Sequence, residues 1–540
     1  MKAICQTGSF EAFSMYNAIY VDKTELIYSL VSLPNRIFIS RPRRFGKSLT
    51  LDTIATLFET GVEPYFKGTW IYDKWTEPTY PVLRLNFLDL DKYSLEHFKQ
   101  KLNAIISSFA RDINIKNYEE KVEPEDTIYF LLDELRKEKR QIVILIDEYD
   151  CQMTANINNE TLYKQFQEKI KSFYATIKNK WPIKFLGITG VTRLKDVEIF
   201  SIGSDIRDIT NASAYSQMIG FTRDEIKKYY IDYLKLASSY ENNCSVDNVT
   251  DEQIESMLDM MAQNYDGYCF DEFYKKKVFS TWSVNSFFQS IIENKFVDFG
   301  DYWYDNGGLP SILVNYLKTH KLNSLDYVEK DKTITIRVND FKNPTSLTSI
   351  NQNVLMCQTG YLTLRSPVYS KGFMTLGMPN SEVYNALLSL MALNIFDDTK
   401  LENVNEQILS QSKDVGEIIE LFNTVLNTVS YDNYPISSEA VVQQLLYMYL
   451  KGICNSVSAE LHSSKGRADL VIESDNRRIV FEFKYAKNEI EAKVKLSEAI
   501  EQIKTRDYGN IVPKKAELLR IAAVFNADPK VRAFTEYHEV

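Results

Sequence analysis

Gly46-Lys47-Ser48, led in by Arg41-Pro42-Arg43-Arg44-Phe45 and followed by Leu49, has the residue types of a phosphate-binding loop. Such a loop runs G-x-x-x-x-G-K-[ST] between a buried strand and a helix, and its backbone N–H groups cradle phosphate. Gly46, Lys47 and Ser48 are in place, while Arg41 holds the position of the first glycine. A second set is Asp147 and Glu148, two acids at the end of the apolar run Gln141-Ile142-Val143-Ile144-Leu145-Ile146. Asp147 can hold the magnesium of a bound nucleotide, directly or through water, and Glu148 can orient or deprotonate an attacking water. A third set is Asp469, Glu482 and Lys484. Two carboxylates that hold magnesium, with a lysine to orient water or steady developing charge, suit hydrolysis of a phosphodiester. That chemistry needs no histidine or cysteine.

The first two sets require a parallel sheet. Arg36-Ile37-Phe38-Ile39-Ser40 reads as a short buried strand before the loop, and Leu49 to Phe58 has helical spacing after it. The run into Asp147 reads as a strand buried on both faces, which presents its acids at the carboxyl end, where ligands sit in open α/β sheets. A buried strand that merely runs into an N-capping acid is the plainer alternative. Val82 to Phe87 and Ile183 to Thr189 add two strands, so at least four alternate with helices and predict a parallel sheet covered on both faces. Thr189-Gly190-Val191-Thr192-Arg193 closes the last of them. Thr189 and Arg193 are candidates to sense a terminal phosphate, and a strand ending in a turn fits equally. Asp22-Lys23-Thr24-Glu25 reads as a capping box, with Asp22 as N-cap, ahead of Leu26 to Leu30.

From Phe221 to about Asp340 the pattern is helical and tyrosine-rich, interrupted by turns at Asn264 to Phe270 and Tyr304 to Pro310. A helical lid is expected there, its aromatic residues packing a core rather than stacking on bases. Residues 346–430 hold short strands near Gly360 to Leu364 and then helices, with no assignable chemistry.

The third set requires a hairpin. Gly466 to Glu473 and Arg478 to Lys484 are β-rich runs separated by a short Asp/Asn turn. With Asp475-Asn476 as a two-residue turn, Asp469 falls opposite Glu482, their Cβ atoms about 4.5–5.5 Å apart. Lys484 shares that face, and Phe481 and Phe483 point the other way. A cross-strand salt bridge on a solvated face is the commoner meaning of Glu-x-Lys. Glu439 opens an amphipathic run to Leu450 and is a candidate third acid for the metal, or only a favourable acid in a first helical turn. Gln502 is a softer candidate.

Composition narrows the setting. The chain has 540 residues, which predicts two or three domains, and 44% hydrophobic residues, ample for packed cores. Its net charge of −10 argues against a protein coated in nucleic acid, though a local basic groove is compatible with it. Six scattered cysteines without a C-x-x-C pair, and four dispersed histidines, point to no zinc site and to free thiols in a reducing cytoplasm. No apolar signal core or membrane-length run is present, so a soluble cytoplasmic protein without a membrane partner is expected.

These motifs resemble those of a known family of bacterial and archaeal proteins. The amino-terminal part is similar to the predicted AAA-ATPase-like domain, in Asp22-Lys23-Thr24, Arg41 to Ser48, Ile146 to Asp150, Ile188 to Arg193 and Asp208-Ile209-Thr210. The carboxy-terminal part is similar to the PD-(D/E)xK nuclease-superfamily domain, in Glu439, Gly466 to Asp469 and Phe481 to Lys484. The resemblance implies ATP as nucleotide, Lys47 on its β- and γ-phosphates, Ser48 on magnesium, and Asp469, Glu482 and Lys484 as the nuclease triad. Arg43 to Leu49, with Asp147, Thr189 and Arg193, are the expected nucleotide contacts.

The expected fold is α/β: a P-loop NTPase parallel sheet with a helical lid, plus a carboxy-terminal α/β restriction-endonuclease-like domain. The expected boundaries are 1–215 for the ATPase core, 216–345 for the lid, 346–430 for a connecting region and 431–540 for the nuclease-like domain. The expected function is an ATPase that regulates a magnesium-dependent nuclease acting on DNA, with a homo-oligomer compatible. A nucleotide-switched interaction protein whose nuclease-like domain binds without cleaving is the alternative. A stand-alone ATPase ranks last.

Overall fold

Asn35–Ser40 forms strand β1, whose last four residues are buried, and the loop into helix Lys47–Thr60 follows it directly. These coordinates are a computed structural model. It describes all residues except 34, 117, 179, 195–204, 304–310, 318–326, 328–330, 345, 370, 397–407, 430–434, 454–456, 464–465, 474–475 and 510–514. The turn expected at Tyr304 to Pro310, and Asp475 of the expected hairpin turn, lie outside the described residues. The chain divides into two compact units, Met1–Leu322 with Lys330–Tyr384, and Asn323–Glu329 with Asn385–Val540.

In the first unit β1 joins β2 (Val82–Asn86), β3 (Ile142–Asp147), β4 (Ile183–Gly190) and β5 (Arg207–Asp208) in one sheet of order β2-β3-β4-β1-β5. Every pairing is parallel. Parallel neighbours need crossover connections, and helices Leu95–Asp112, Pro124–Lys137 and Glu160–Ile177 supply apolar stripes such as Phe98, Leu102 and Ile106 for them. All eight residues of β4 are buried, as a strand between two others and under helices must be. Because β4 lies between β1 and β3, its carboxyl end opens between the loop and the acids of β3. Two-residue β5 is an addition to the four expected strands; it is too short to show periodicity.

The start of helix Thr24–Val31 differs from the capping box read in the sequence. Its N-cap is Lys23, and Asp22, one residue earlier, accepts the Thr24 backbone N–H and hydroxyl at 2.9 and 2.6 Å. The second Asp22 oxygen takes the Trp70 N–H at 2.6 Å, so this acid ties two segments together instead of closing a reciprocal cap. Reciprocal capping boxes do occur at Thr222 with Glu225 and at Thr250 with Gln253.

Helices Arg223–Tyr229, Ile231–Glu241, Asp251–Tyr265 and Thr281–Asn294 form the helical region after the sheet. Tyr230, Tyr233, Tyr265, Phe287 and Phe288 are buried in its core with Met257, Leu258 and Met261, and Ile19 and Val21 of the amino-terminal segment join them. The tyrosines therefore pack, as their helical spacing suggested. A small antiparallel sheet, β6 (Ile334–Arg337), β8 (Phe373–Gly377) and β7 (Thr363–Leu364), follows.

The second unit is built on a mixed sheet of order β13-β12-β11-β10-β9: β9 Val457–Ser463, β10 Gly466–Glu473, β11 Arg477–Ala486, β12 Glu517–Asn526 and β13 Ala533–Glu539. β10 and β11 are antiparallel neighbours, whereas β11 and β12 are parallel and connected through helix Glu489–Arg506. Val480, Ala499 and Ile503 are packed in one cluster against that helix. On the opposite face Phe481 and Phe483 lie with their rings 5.6 Å apart and both approach Phe422, at 5.1 and 6.4 Å. Among the described residues no helix is long and apolar enough to cross a membrane.

Candidate active sites

The loop site begins with a change of backbone hand. Gly46 has φ +98° and caps helix Lys47–Thr60, and Arg44 has φ +64°. Glycine takes that conformation without strain, and it turns successive N–H groups toward one centre at a helix amino terminus. Over them lies a cavity of 520 Å³, the size of a nucleotide site. Arg43, Arg44, Phe45, Gly46, Lys47, Ser48, Leu49 and Glu148 line it, with Phe221, Tyr230 and Trp282 from the helical region across it. Phe45 contributes mainly as an anchor, since it is 1% exposed and packs edge-on against Tyr268 at 4.7 Å.

The Lys47 ammonium lies 3.2 Å from the carbonyl oxygens of both Arg41 and Pro42 and 3.6 Å from a Glu148 carboxylate oxygen. It is thus held over the loop, where an ammonium serves phosphate oxygens. Ser48 donates its hydroxyl to Asp147 at 2.5 Å, a hard-oxygen pair of the kind magnesium takes. Burial raises the Asp147 pKa, the charge of Glu148 adds to the rise, and the Ser48 hydrogen bond opposes it. Glu148 has φ +51°, a left-handed conformation unusual outside glycine and asparagine, directly after the strand end.

Thr189 and Arg193 are placed differently. Thr189 is fully buried in β4 and its hydroxyl has no hydrogen-bond partner, while its carbonyl accepts the Tyr149 N–H at 3.1 Å. Arg193 forms an ion pair with Asp208 and lines a second, small cavity beneath the loop instead of the large one. The structure does bring the motif segments together. Buried Asp150 accepts the Thr192 N–H at 2.6 Å and its hydroxyl at 2.5 Å, and Tyr149 donates to the Thr192 carbonyl at 3.1 Å. Trp282, Thr281 and Trp303 had no sequence signal. The Arg44 guanidinium lies 3.9 Å over the Trp282 ring, Thr281 donates to the Arg44 carbonyl at 3.0 Å, and Trp303 donates to that of Arg43 at 3.2 Å.

The second site lies on the β10–β11 hairpin. Leu470 pairs with Phe481, Val471 with Val480, Ile472 with Ile479 and Glu473 with Arg478. Continued by one residue, that register sets Asp469 across from Glu482, and an Asp469 carboxylate oxygen accepts the Phe483 N–H at 2.8 Å. The Lys484 ammonium is 2.8 Å from Glu482 and 3.3 Å from Glu439, which opens helix Glu439–Ile453. Glu482 is fully buried, and its second oxygen has no hydrogen-bond partner. Burial pushes its carboxyl up to about 7; the charge of Asp469 adds to this and Lys484 opposes it.

Gln443, one turn along the same helix as Glu439, donates to the Asp469 carbonyl at 2.6 Å and was not singled out by spacing, since an amide in an amphipathic run looks like any polar face residue. Gln502 instead donates to the Tyr508 hydroxyl at 3.1 Å. Among the described residues no three His, Cys, Asp or Glu side chains converge closely enough to hold a metal ion. Glu439 is engaged on Lys484, and Asp469 and Glu482 are the two carboxylates that the facing strands bring to the hairpin.

Comparison with known proteins assigns a family to each of two stretches of the chain. Residues 5–200 match the family described as Predicted AAA-ATPase, and residues 437–534 match the PD-(D/E)XK nuclease superfamily. A protein of Azotobacter chroococcum mcd 1, described as an uncharacterized protein in the vnfD 5' region, is 24% identical over 528 residues, covering 95% of this chain and 93% of that protein. Among solved structures, Cdc6p from Pyrobaculum aerophilum aligns over 68% of this chain and 93% of that one at 11% identity, with a TM-score of 0.22, too low to bear on the fold. The chain therefore joins an AAA-ATPase-like domain at residues 5–200 to a PD-(D/E)XK nuclease-superfamily domain at residues 437–534.

Proposed function

We propose that the loop site binds and hydrolyses ATP and that this cycle controls a magnesium-dependent site on the β10–β11 hairpin that cleaves phosphodiesters, with DNA as substrate. The observation that carries the reading is the buried Glu482 carboxylate, one oxygen on Lys484 and the other without any donor. A structural salt bridge has no use for that second oxygen, whereas a hard cation bound beside Asp469 does. The bound ion would polarise the phosphodiester and lower the pKa of a water. Lys484 would orient that water or steady charge on the phosphate oxygens, and Glu439 would hold Lys484 in place. At the loop, Lys47 serves the β- and γ-phosphates, Ser48 and Asp147 fit magnesium, and Glu148 orients or deprotonates the attacking water.

In this reading residues 1–215 are the ATPase core, 216–345 the lid, 346–430 a connecting region and 431–540 the nuclease domain. The compact units divide within that connecting region, at Tyr384. The test is cleavage of plasmid and single-stranded DNA with magnesium or manganese by the wild type and by Lys484→Ala. Cleavage by the wild type that is lost in the variant, with ATP hydrolysis unchanged, is expected. Absence of cleavage under every condition, with hydrolysis intact, would overturn the nuclease half.

A second reading is a nucleotide-switched interaction protein whose nuclease-like domain binds a partner or nucleic acid without cleaving it. It is favoured by the lack of a three-carboxylate metal set among the described residues. Magnesium or manganese titration separates the two, because the cleaving site must bind the ion through Asp469 and Glu482.

A further inference from the structure

Arg41, at the position where phosphate loops ordinarily carry glycine, turns its side chain away from the nucleotide cavity and into the protein. It is 1% exposed. Nη1 donates to the carbonyls of Ser40 and Thr210 at 2.9 and 2.6 Å, and the Phe270 ring covers the guanidinium at 4.1 Å. Nε and Nη2 are buried without any hydrogen-bond partner. These two groups form one side of the guanidinium fork, so their N–H bonds point together at a single place.

Asp208, the carboxylate whose charge acts most on Arg41, is already held by Arg193 and by the Thr210 N–H at 2.8 Å. Asp208 thus acts on both arginines. A buried charge left without a counter-charge is costly, and it is normally paired or neutralised. Burial accordingly pushes the Arg41 guanidinium down to about 9.

A cavity of 30 Å³ lies here, lined by Arg41, Arg193, Thr210, Cys269, Phe270 and Gln358 among others. One water needs about 10–15 Å³ by such a measure. The space takes a single small guest and is too tight for phosphate or a nucleotide. We propose that this cavity is a binding site for a monoatomic anion of the halide class, chloride in the cell, held by Nε and Nη2 of Arg41. The guest supplies a counter-charge at Nε and Nη2 of Arg41, where a water would supply only an acceptor. The carbonyl of Arg41 also accepts from the Lys47 ammonium at 3.2 Å, so an anion that fixes Arg41 fixes one wall of the loop above it. The site shares no lining residue with the nucleotide cavity.

Crystals of the full chain grown in sodium bromide test the proposal by anomalous scattering, which tells bromide from water. A bromide peak within hydrogen-bond distance of Arg41 Nε and Nη2 is expected, and a water or nothing at that position would overturn it. Thermal unfolding of the wild type in sodium chloride and in sodium gluconate, at equal ionic strength, gives an independent reading. A midpoint that rises with chloride and not with gluconate is expected, lost in Arg41→Met. Equal wild-type midpoints in the two salts would contradict the proposal even if Arg41→Met fails to fold.

Discussion

In the proposed reading, Lys47 and Glu148 divide the chemistry of the loop site between them. Lys47 is 5% exposed, and its ammonium has two carbonyls and one carboxylate as neighbours, which hold it over the loop where the proposed phosphates would lie. Charged hydrogen bonds contribute about 1.5–3 kcal/mol each. Lys47→Ala is therefore expected to weaken ATP binding by about 10–100-fold or more, read by titration calorimetry, and an unchanged affinity would remove the lysine from its role. Glu148→Gln keeps the shape and loses the base. It should bind ATP normally and hydrolyse it about 10²–10⁴-fold more slowly, in the range of general-base effects; unchanged turnover would exclude that role. The placement of Lys47 and Ser48 at the helix start and of Asp147 at a strand end was legible because a loop between strand and helix, and a buried apolar run into an acid, allow few placements. Arg41 and Arg193 were not. Their partners, Asp208 and Thr210, lie on and two residues after a two-residue strand that no periodicity reveals.

At the scale of elements, the end of β4 shows why several short motifs occur together. Gly190 sits where a Cβ would be 2.5 Å from the Tyr149 ring and 2.6 Å from an Asp150 oxygen. Tyr149 and Asp150 after β3 and Thr192 after β4 are thus one hydrogen-bonded unit that tolerates no side chain between them. Gly190→Ala should destabilise the first unit by about 1–3 kcal/mol, the usual cost of overpacking, visible as an earlier urea transition of the full chain. An unchanged transition would mean that the contact gives way easily. The sheet and the hairpin were readable at this scale for opposite reasons. β3 is a continuous apolar run and β4 is mostly apolar, interrupted by Lys184 and Thr189, because both faces are buried, and β11 alternates because Phe481 and Phe483 face an aromatic cluster while Glu482 and Lys484 face the site. The stacking of Arg44 on Trp282 was not readable, since it joins residues far apart in sequence through tertiary packing alone.

For the whole molecule, two compact units lie in one chain, and the proposed reading gives each its own chemistry. Composition gave the expectation of more than one domain, and the two constellations fall in different units, the loop in the first and the hairpin in the second. Sequence spacing locates each site but carries no signal for communication between them. The most direct test of the central claim is the rate of DNA cleavage with magnesium, with and without saturating ATP, for the wild type, Glu148→Gln and Lys47→Ala. The account predicts that ATP changes the wild-type rate, that Glu148→Gln responds to ATP binding with hydrolysis slowed, and that Lys47→Ala cleaves at one rate regardless of ATP. A wild-type rate that is the same with and without ATP would contradict it.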